Sequence, residues 1–362
     1  MEATFLQTLW FILVAVLFLG YFVLEGFDFG VGMNVFALGK GDEKRKNQIL
    51  TTIGPVWDAN EVWILVGGGA LFAAFPEWYA TMFSGFYLAL IIILVALIVR
   101  ICAFKYRNKV ESASWKFAWD ICHFIGGLVP ALIWGVAVGN IVRGVNMEAN
   151  AGGKSVVTDS LFDLLNPFAL LAGVVFVLLF WLHGTLFLAL RTTDGVREDA
   201  NKLAGIIVFP TILAAAAWVL WAQIAYSNNA WTWIPLVIAA LALIGALVLN
   251  RARREGLAFT STSVAIAFAT IMAFGAIFPN VLPAANDPAL SLTVMNASST
   301  EYTLRVMTIA TVVLLPIVLA YQAWAYWVFR ARVTGEGFPA AHAANLARKA
   351  KEGYREAFNT ES

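Results

Sequence analysis

Hydrophobic residues run in long blocks separated by short polar ones. Nine of these blocks reach the length of about 20 mostly apolar residues that a transmembrane helix needs. They lie near 5–28, 56–75, 80–104, 117–142, 165–190, 203–226, 231–250, 257–279 and 304–330. The first can run on to Leu38 as a long, tilted or broken helix. Gly26, Gly30 and Gly32 within it suit either a break or a close contact with a neighbouring helix. The first block is preceded by neither the basic leader nor the small-residue cleavage site of a secretory signal, so it is expected to remain as a span. The connections are mostly short. Only 143–164 and 280–303 exceed about a dozen residues, and the second carries turn-formers at Asn280–Pro283 and Asn286–Pro288. The pattern predicts an all-α polytopic membrane protein, with a transmembrane helical domain over 1–332 and a charged tail over 333–362.

The basic residues orient these spans, because short cytoplasmic loops collect lysine and arginine. With the N-terminus outside and the C-terminus cytoplasmic, 20 of the 24 fall in cytoplasmic segments. Arg143, Lys154 and Arg305 lie outside, and Arg100 lies within a span. Composition agrees: 60% of the 362 residues are hydrophobic and 13% charged, against about 45–50% and about 25% in soluble chains. A net charge of +1 leaves no nucleic-acid footprint. Cys102 and Cys122 form neither a CxxC pair nor a disulfide framework. No nucleotide-binding, zinc-protease or serine-hydrolase motif is visible.

Charged groups at bilayer depth cost about 2.5–3.5 kcal/mol each on insertion scales and are functional candidates by default. They are Glu25 and Asp28, Asp58 and Glu61, Arg100, Asp120 with His123, and His183. Glu25 and Asp28 share a helix face, and Asp58 and Glu61 repeat that spacing at the start of the second span. Asp58 and Glu61 also suit a helix N-terminus on dipole grounds alone. If Lys40 marks the interface, Asp28 lies about 18 Å inside at 1.5 Å per residue. Four carboxylates on adjacent spans suggest a proton relay or a cation site. Arg100 either snorkels to the interface or serves as a counter-ion to Asp28 or Asp58. His123 and His183 sit at matched depths. That permits a bis-histidine haem, although a hydrogen-bond-satisfied histidine is the simpler reading.

Ordered motifs then point to one family. LEGFDFGVGM (24–33) resembles the first-span signature of subunit II of the cytochrome bd quinol oxidases, and GPVWDANEVW (54–63) resembles its second-span signature. The likeness continues through GGGALFAAFP (67–76), FSGFY (83–87), GVAVGN (135–140), LNPFALLAG (165–173), FPNVLP (278–283), NASS (296–299) and YQAWAYW (321–327). The resemblance implies a bacterial or archaeal plasma-membrane oxidase that oxidises quinol and reduces O2 to water. It implies two four-helix bundles plus one peripheral helix. Two haem b groups and haem d are implied in the partner, subunit I, and a small single-span accessory subunit in some members. By motif position, Asp58, Asp28 and Glu25 are implied in a proton path, and Trp57–Asp58 lie near a possible bound quinone. The chain departs from the family at Glu61, where members can carry an uncharged glutamine. Two other classes remain on the residues themselves: a stand-alone proton- or cation-coupled transporter using the same carboxylates, and a haem-bearing subunit using His123 and His183.

Overall fold

The structure is a computed structural model and describes residues 3–337. Eleven α-helices lie among them: α1 (Phe5–Ala37), α2 (Glu43–Ile53), α3 (Trp57–Ala74), α4 (Pro76–Gly85), α5 (Tyr87–Tyr106), α6 (Ala113–Arg143), α7 (Pro167–Arg191), α8 (Asp194–Ala225), α9 (Trp233–Arg251), α10 (Glu255–Ile277) and α11 (Glu301–Val328). Eight of these, α1 and α5 to α11, are long and apolar enough to cross a membrane. The remaining expected span corresponds to α3. It misses that standard because Asp58, Asn60 and Glu61 occupy its first two turns. The expected block 80–104 also divides, with α4 ending at Gly85 and α5 beginning at Tyr87.

α1 is a single unbroken helix. Thr4 and Gln7 close its start as a capping box, each side chain accepting from the other's backbone N–H. Its glycines serve contact rather than breakage. A methyl on Gly30 would stand 2.0 Å from the Phe180 carbonyl oxygen and 2.7 Å from Gly184 Cα, both on α7. A methyl on Gly127 of α6 would stand 2.4 Å from the Phe29 carbonyl oxygen. α1 is thereby seated directly on the backbones of α6 and α7. Gly30→Ala should destabilise the fold by about 1–3 kcal/mol through overpacking, toward the upper end because the obstacle is backbone. A thermal midpoint unchanged from wild type would contradict this.

α1 also packs on α3 and α10, α5 lies on α6, and α7 to α10 touch in sequence with α10 returning to α7. α11 rests mainly on α1 and α3, and most of its surface is exposed. The polar helix α2 is capped by Asp42. It turns Ile49, Leu50 and Ile53 onto Phe27, Val31 and Val35 of α1. The two long connections are structured. Strands β1 (Met147–Ala149) and β2 (Ser155–Val157) pair antiparallel, as do β3 (Asn280–Leu282) and β4 (Leu292–Thr293). Val145 bridges Ala284, and the Asn286 amide bonds both the N–H and the carbonyl of Met147.

At the other face, Val333 is buried. Its N–H bonds the Arg191 carbonyl at 2.7 Å, and its carbonyl accepts from Gln48. From residue 338 onward the expected charged tail lies outside the described residues.

Candidate functional site: a buried carboxylate–arginine cluster

α1, α3 and α5 bring four of the predicted groups together. Glu25 is fully buried, and its Oε1 lies 2.5 Å from Arg100 Nη1. The other guanidinium nitrogen of Arg100 stands 4.0 Å from Glu61 Oε1, on a side chain 15% exposed. The guanidinium also lies over the Phe29 ring, 5.0 Å from its centre. Arg100 reaches α6 closely enough that a methyl on Gly126 would meet its Cβ at 2.5 Å. It therefore neither snorkels nor pairs directly with Asp28 or Asp58, as the sequence suggested. Its ion-pair partner is Glu25, three residues before Asp28 on α1.

Asp28 forms the second part of the site. Its Oδ2 accepts from Asn60 Nδ2 at 2.8 Å, while its buried Oδ1 has no hydrogen-bond partner. Asn60 also donates to the Leu24 carbonyl, and its own oxygen accepts from the Tyr326 hydroxyl at 2.6 Å. One turn on, Trp63 Nε1 donates to Gln322. Sequence inspection missed Asn60 and Tyr326, both uncharged. The only signal was an asparagine amid the acids of the 54–63 motif. Asp58 is exposed in the first turn of α3, outside the buried pair, with Glu61 one turn further in. Trp57 stacks on Phe104, ring centres 5.6 Å apart and planes 8° apart.

Asp28 also has a defined place along α1. From Phe5 to Glu25, α1 rises about 30 Å, roughly the thickness of a bilayer core. Asn60, in the first turn of α3, is level with Leu24 and Asp28. The segment beyond Asp28, out to Ala37, is covered by polar α2.

Asp120 and His123 belong to a second buried group. Asp120 is fully buried and accepts from Lys46 Nζ at 2.8 Å and Arg107 Nε at 2.6 Å. Arg107 also donates to Asn47 and to Glu43. The two histidines differ despite their matched depth. His183 is satisfied: Nδ1 meets the Thr262 hydroxyl at 2.7 Å, Nε2 meets the Val23 carbonyl at 3.1 Å, and the ring stacks on Phe259. Neither nitrogen is left for a haem iron. His123 differs: both ring nitrogens are buried with no hydrogen-bond partner among the described residues. Among the described residues, no three His, Cys, Asp or Glu side chains are grouped so as to hold a metal ion.

Three comparisons bear on this arrangement. Residues 6–329 match the profile of the family described as cytochrome bd terminal oxidase subunit II. The chain is 43% identical over 333 residues to cytochrome bd ubiquinol oxidase subunit 2 of Bacillus subtilis (strain 168), covering 91% of this chain and 97% of that protein. It is 37% identical over 365 residues to cytochrome bd-I ubiquinol oxidase subunit 2 of Escherichia coli (strain K12), covering 91% and 96%. A chain of the bd oxidase structure from Geobacillus thermodenitrificans superimposes with a TM-score of 0.72. That match is at 20% identity and covers 90% of this chain and 99% of that one; it shares the fold. The chain belongs to the cytochrome bd terminal oxidase subunit II family.

Proposed function

We propose that this chain acts in the plasma membrane as the proton-supplying subunit of a complex that oxidises quinol and reduces O2 to water. The redox centres, two haem b and one haem d, belong to a partner subunit I. The observation that carries the reading is the buried Glu25–Arg100–Glu61 group with exposed Asp58 at its outer end. One guanidinium balances one carboxylate. The carboxyls in excess of it are places where a transferable proton can reside. A proton would pass from Asp58 to Glu61, then to Glu25 and Asp28, and on to a carboxyl of subunit I. Arg100 holds Glu25, and Asn60 with Tyr326 holds Asp28, so the acceptors keep fixed positions.

Finer features belong to the same proposal. α3 is the ninth span, its polar first turns lying at the inner edge of the bilayer. The helices divide into α1, α3, α5, α6 and α7 to α10, with α11 peripheral, as their neighbour relations suggest. The N-terminus is outside and the C-terminus cytoplasmic, as the basic residues indicate. A quinone would find Trp57 and Asp58 at the surface. A single-span accessory subunit remains part of the family-based expectation. The transporter reading loses its main hint, since α1 runs unbroken through Gly26–Gly32, whereas transporter sites commonly use discontinuous helices.

The test is Asp58→Asn in the intact complex with haem content measured in parallel. Oxygen consumption should fall about ten-fold or more, on the scale of losing a positioned proton carrier, with the haems retained. Wild-type consumption would sink the reading. Loss of haem d would move Asp58 to an assembly role.

A further inference from the structure

Among the buried titratable side chains that the proposed proton route does not use, His123 stands apart. His123 is 1% exposed, and neither of its ring nitrogens has a hydrogen-bond partner. Buried polar atoms are normally paired, with protein or with ordered water. Phe104 packs edge-to-face on the ring, 4.5 Å between centres, but offers it no hydrogen bond.

His123 stands between the two buried charge clusters. Asp120 lies three residues earlier on α6 and Gly126 three residues later, where Arg100 lies against the helix. Asp120 and His123 share a helix face, and the interval from Asp120 to Gly126 is about 9 Å. Both Arg100 and Arg107 lie within electrostatic reach of the ring. On the far side of Asp120 the polar groups continue outward through Lys46 and Arg107 to Glu43, whose side chain is 44% exposed. A line of polar side chains therefore runs from the surface at Glu43 to Glu25, and His123 fills its one interval.

We propose that His123 is the relay of a second proton inlet to Glu25, independent of Asp58. This rests on the reading that the Glu25 cluster delivers protons. Water bonded to one ring nitrogen, on the Asp120 side, gives that nitrogen a proton. The other nitrogen releases its own proton to water on the Glu25 side. One proton moves, the ring ends neutral as the opposite tautomer, and a ring turn or proton exchange restores it. The charges acting on the ring itself are Arg100 and Arg107, so one proton enters at one nitrogen as the other leaves, and the extra proton does not rest on the ring. Beyond the ring on either side the carboxylates Glu43 and Asp120, and Glu25, Asp28 and Glu61, are the groups that give up and receive the proton, with Lys46, Arg107 and Arg100 among them.

The experiment uses the purified intact complex. It compares His123→Leu, His123→Gln, Asp58→Asn, Glu25→Gln and the double variant Asp58→Asn/His123→Leu. Proton uptake is followed after an O2 pulse to the reduced enzyme, with thermal midpoint and haem content alongside. Because the His123 side chain makes no hydrogen bond among the described residues, His123→Leu should keep the wild-type midpoint, and with Asp58 carrying most of the flow it should slow uptake only slightly. The double variant should fall about ten-fold below Asp58→Asn, to the Glu25→Gln level. His123→Gln keeps polarity but has no ionisable nitrogen, so in the Asp58→Asn background it should be as slow as the leucine variant. It also stands in, alone and combined with Asp58→Asn, should leucine prevent assembly. A double variant, with leucine or with glutamine at 123, no slower than Asp58→Asn alone overturns the His123 inlet while sparing the Glu25 reading. Glu25→Gln at wild-type rate overturns the reading beneath it.

Discussion

Arg100→Met will sharply reduce the stability of the folded chain. The substitution leaves Glu25 fully buried at the place where its counter-ion stood. Removing one partner of a buried ion pair typically costs about 3–5 kcal/mol, because the remaining charge has lost its compensation. Glu61, 4.0 Å from the same guanidinium, loses its neighbour as well. Replacing both members by apolar side chains of similar size is often neutral, so Arg100→Met/Glu25→Leu should recover most of the lost stability. Thermal midpoint and yield of assembled complex report this directly. The double variant should be stable yet slow in oxygen consumption, which separates holding the fold from supplying protons. A single variant as stable as wild type would mean that the pair does not bear on the fold.

The second large effect is expected at Asp120. Asp120→Ala leaves Lys46 and Arg107 buried beside each other with Glu43 as their remaining anion. Two like charges then share a site from which water is largely excluded. The expected loss is again about 3–5 kcal/mol. Glu43→Gln provides the comparison, since it touches the same two cations from a part-exposed position and should cost under about 1 kcal/mol. Thermal midpoints of the two variants should therefore differ widely. Equal midpoints would show that Asp120 is not the centre of the network.

Much of the architecture could be read from hydropathy alone, and the exception is instructive. α3 falls short as an apolar span because of Asp58, Asn60 and Glu61. Those residues line the site or its surface end, so chemistry and hydropathy compete for the same two turns. The acids at 25, 28, 58 and 61 were evident as charges out of place. Their pairing was not, because Glu25 meets Arg100 across 75 positions of chain through a helix contact that no local pattern encodes. The two histidines looked equivalent at matched depth. Only the neighbouring helices distinguish them, Thr262 and Val23 satisfying one and an aromatic wall leaving the other unpaired.

The paired strands at the ends of α6 and α10 carry a mechanical consequence. The bridge between Val145 and Ala284 and the twin bonds of Asn286 to Met147 stitch two distant stretches of chain together on one face. Between the faces, the glycine seam sets the backbones of α1 and α7 against each other with no side chains to act as bearings. Such a body resists rocking of one half against the other. It is a frame in which the two buried charge clusters keep fixed places relative to each other.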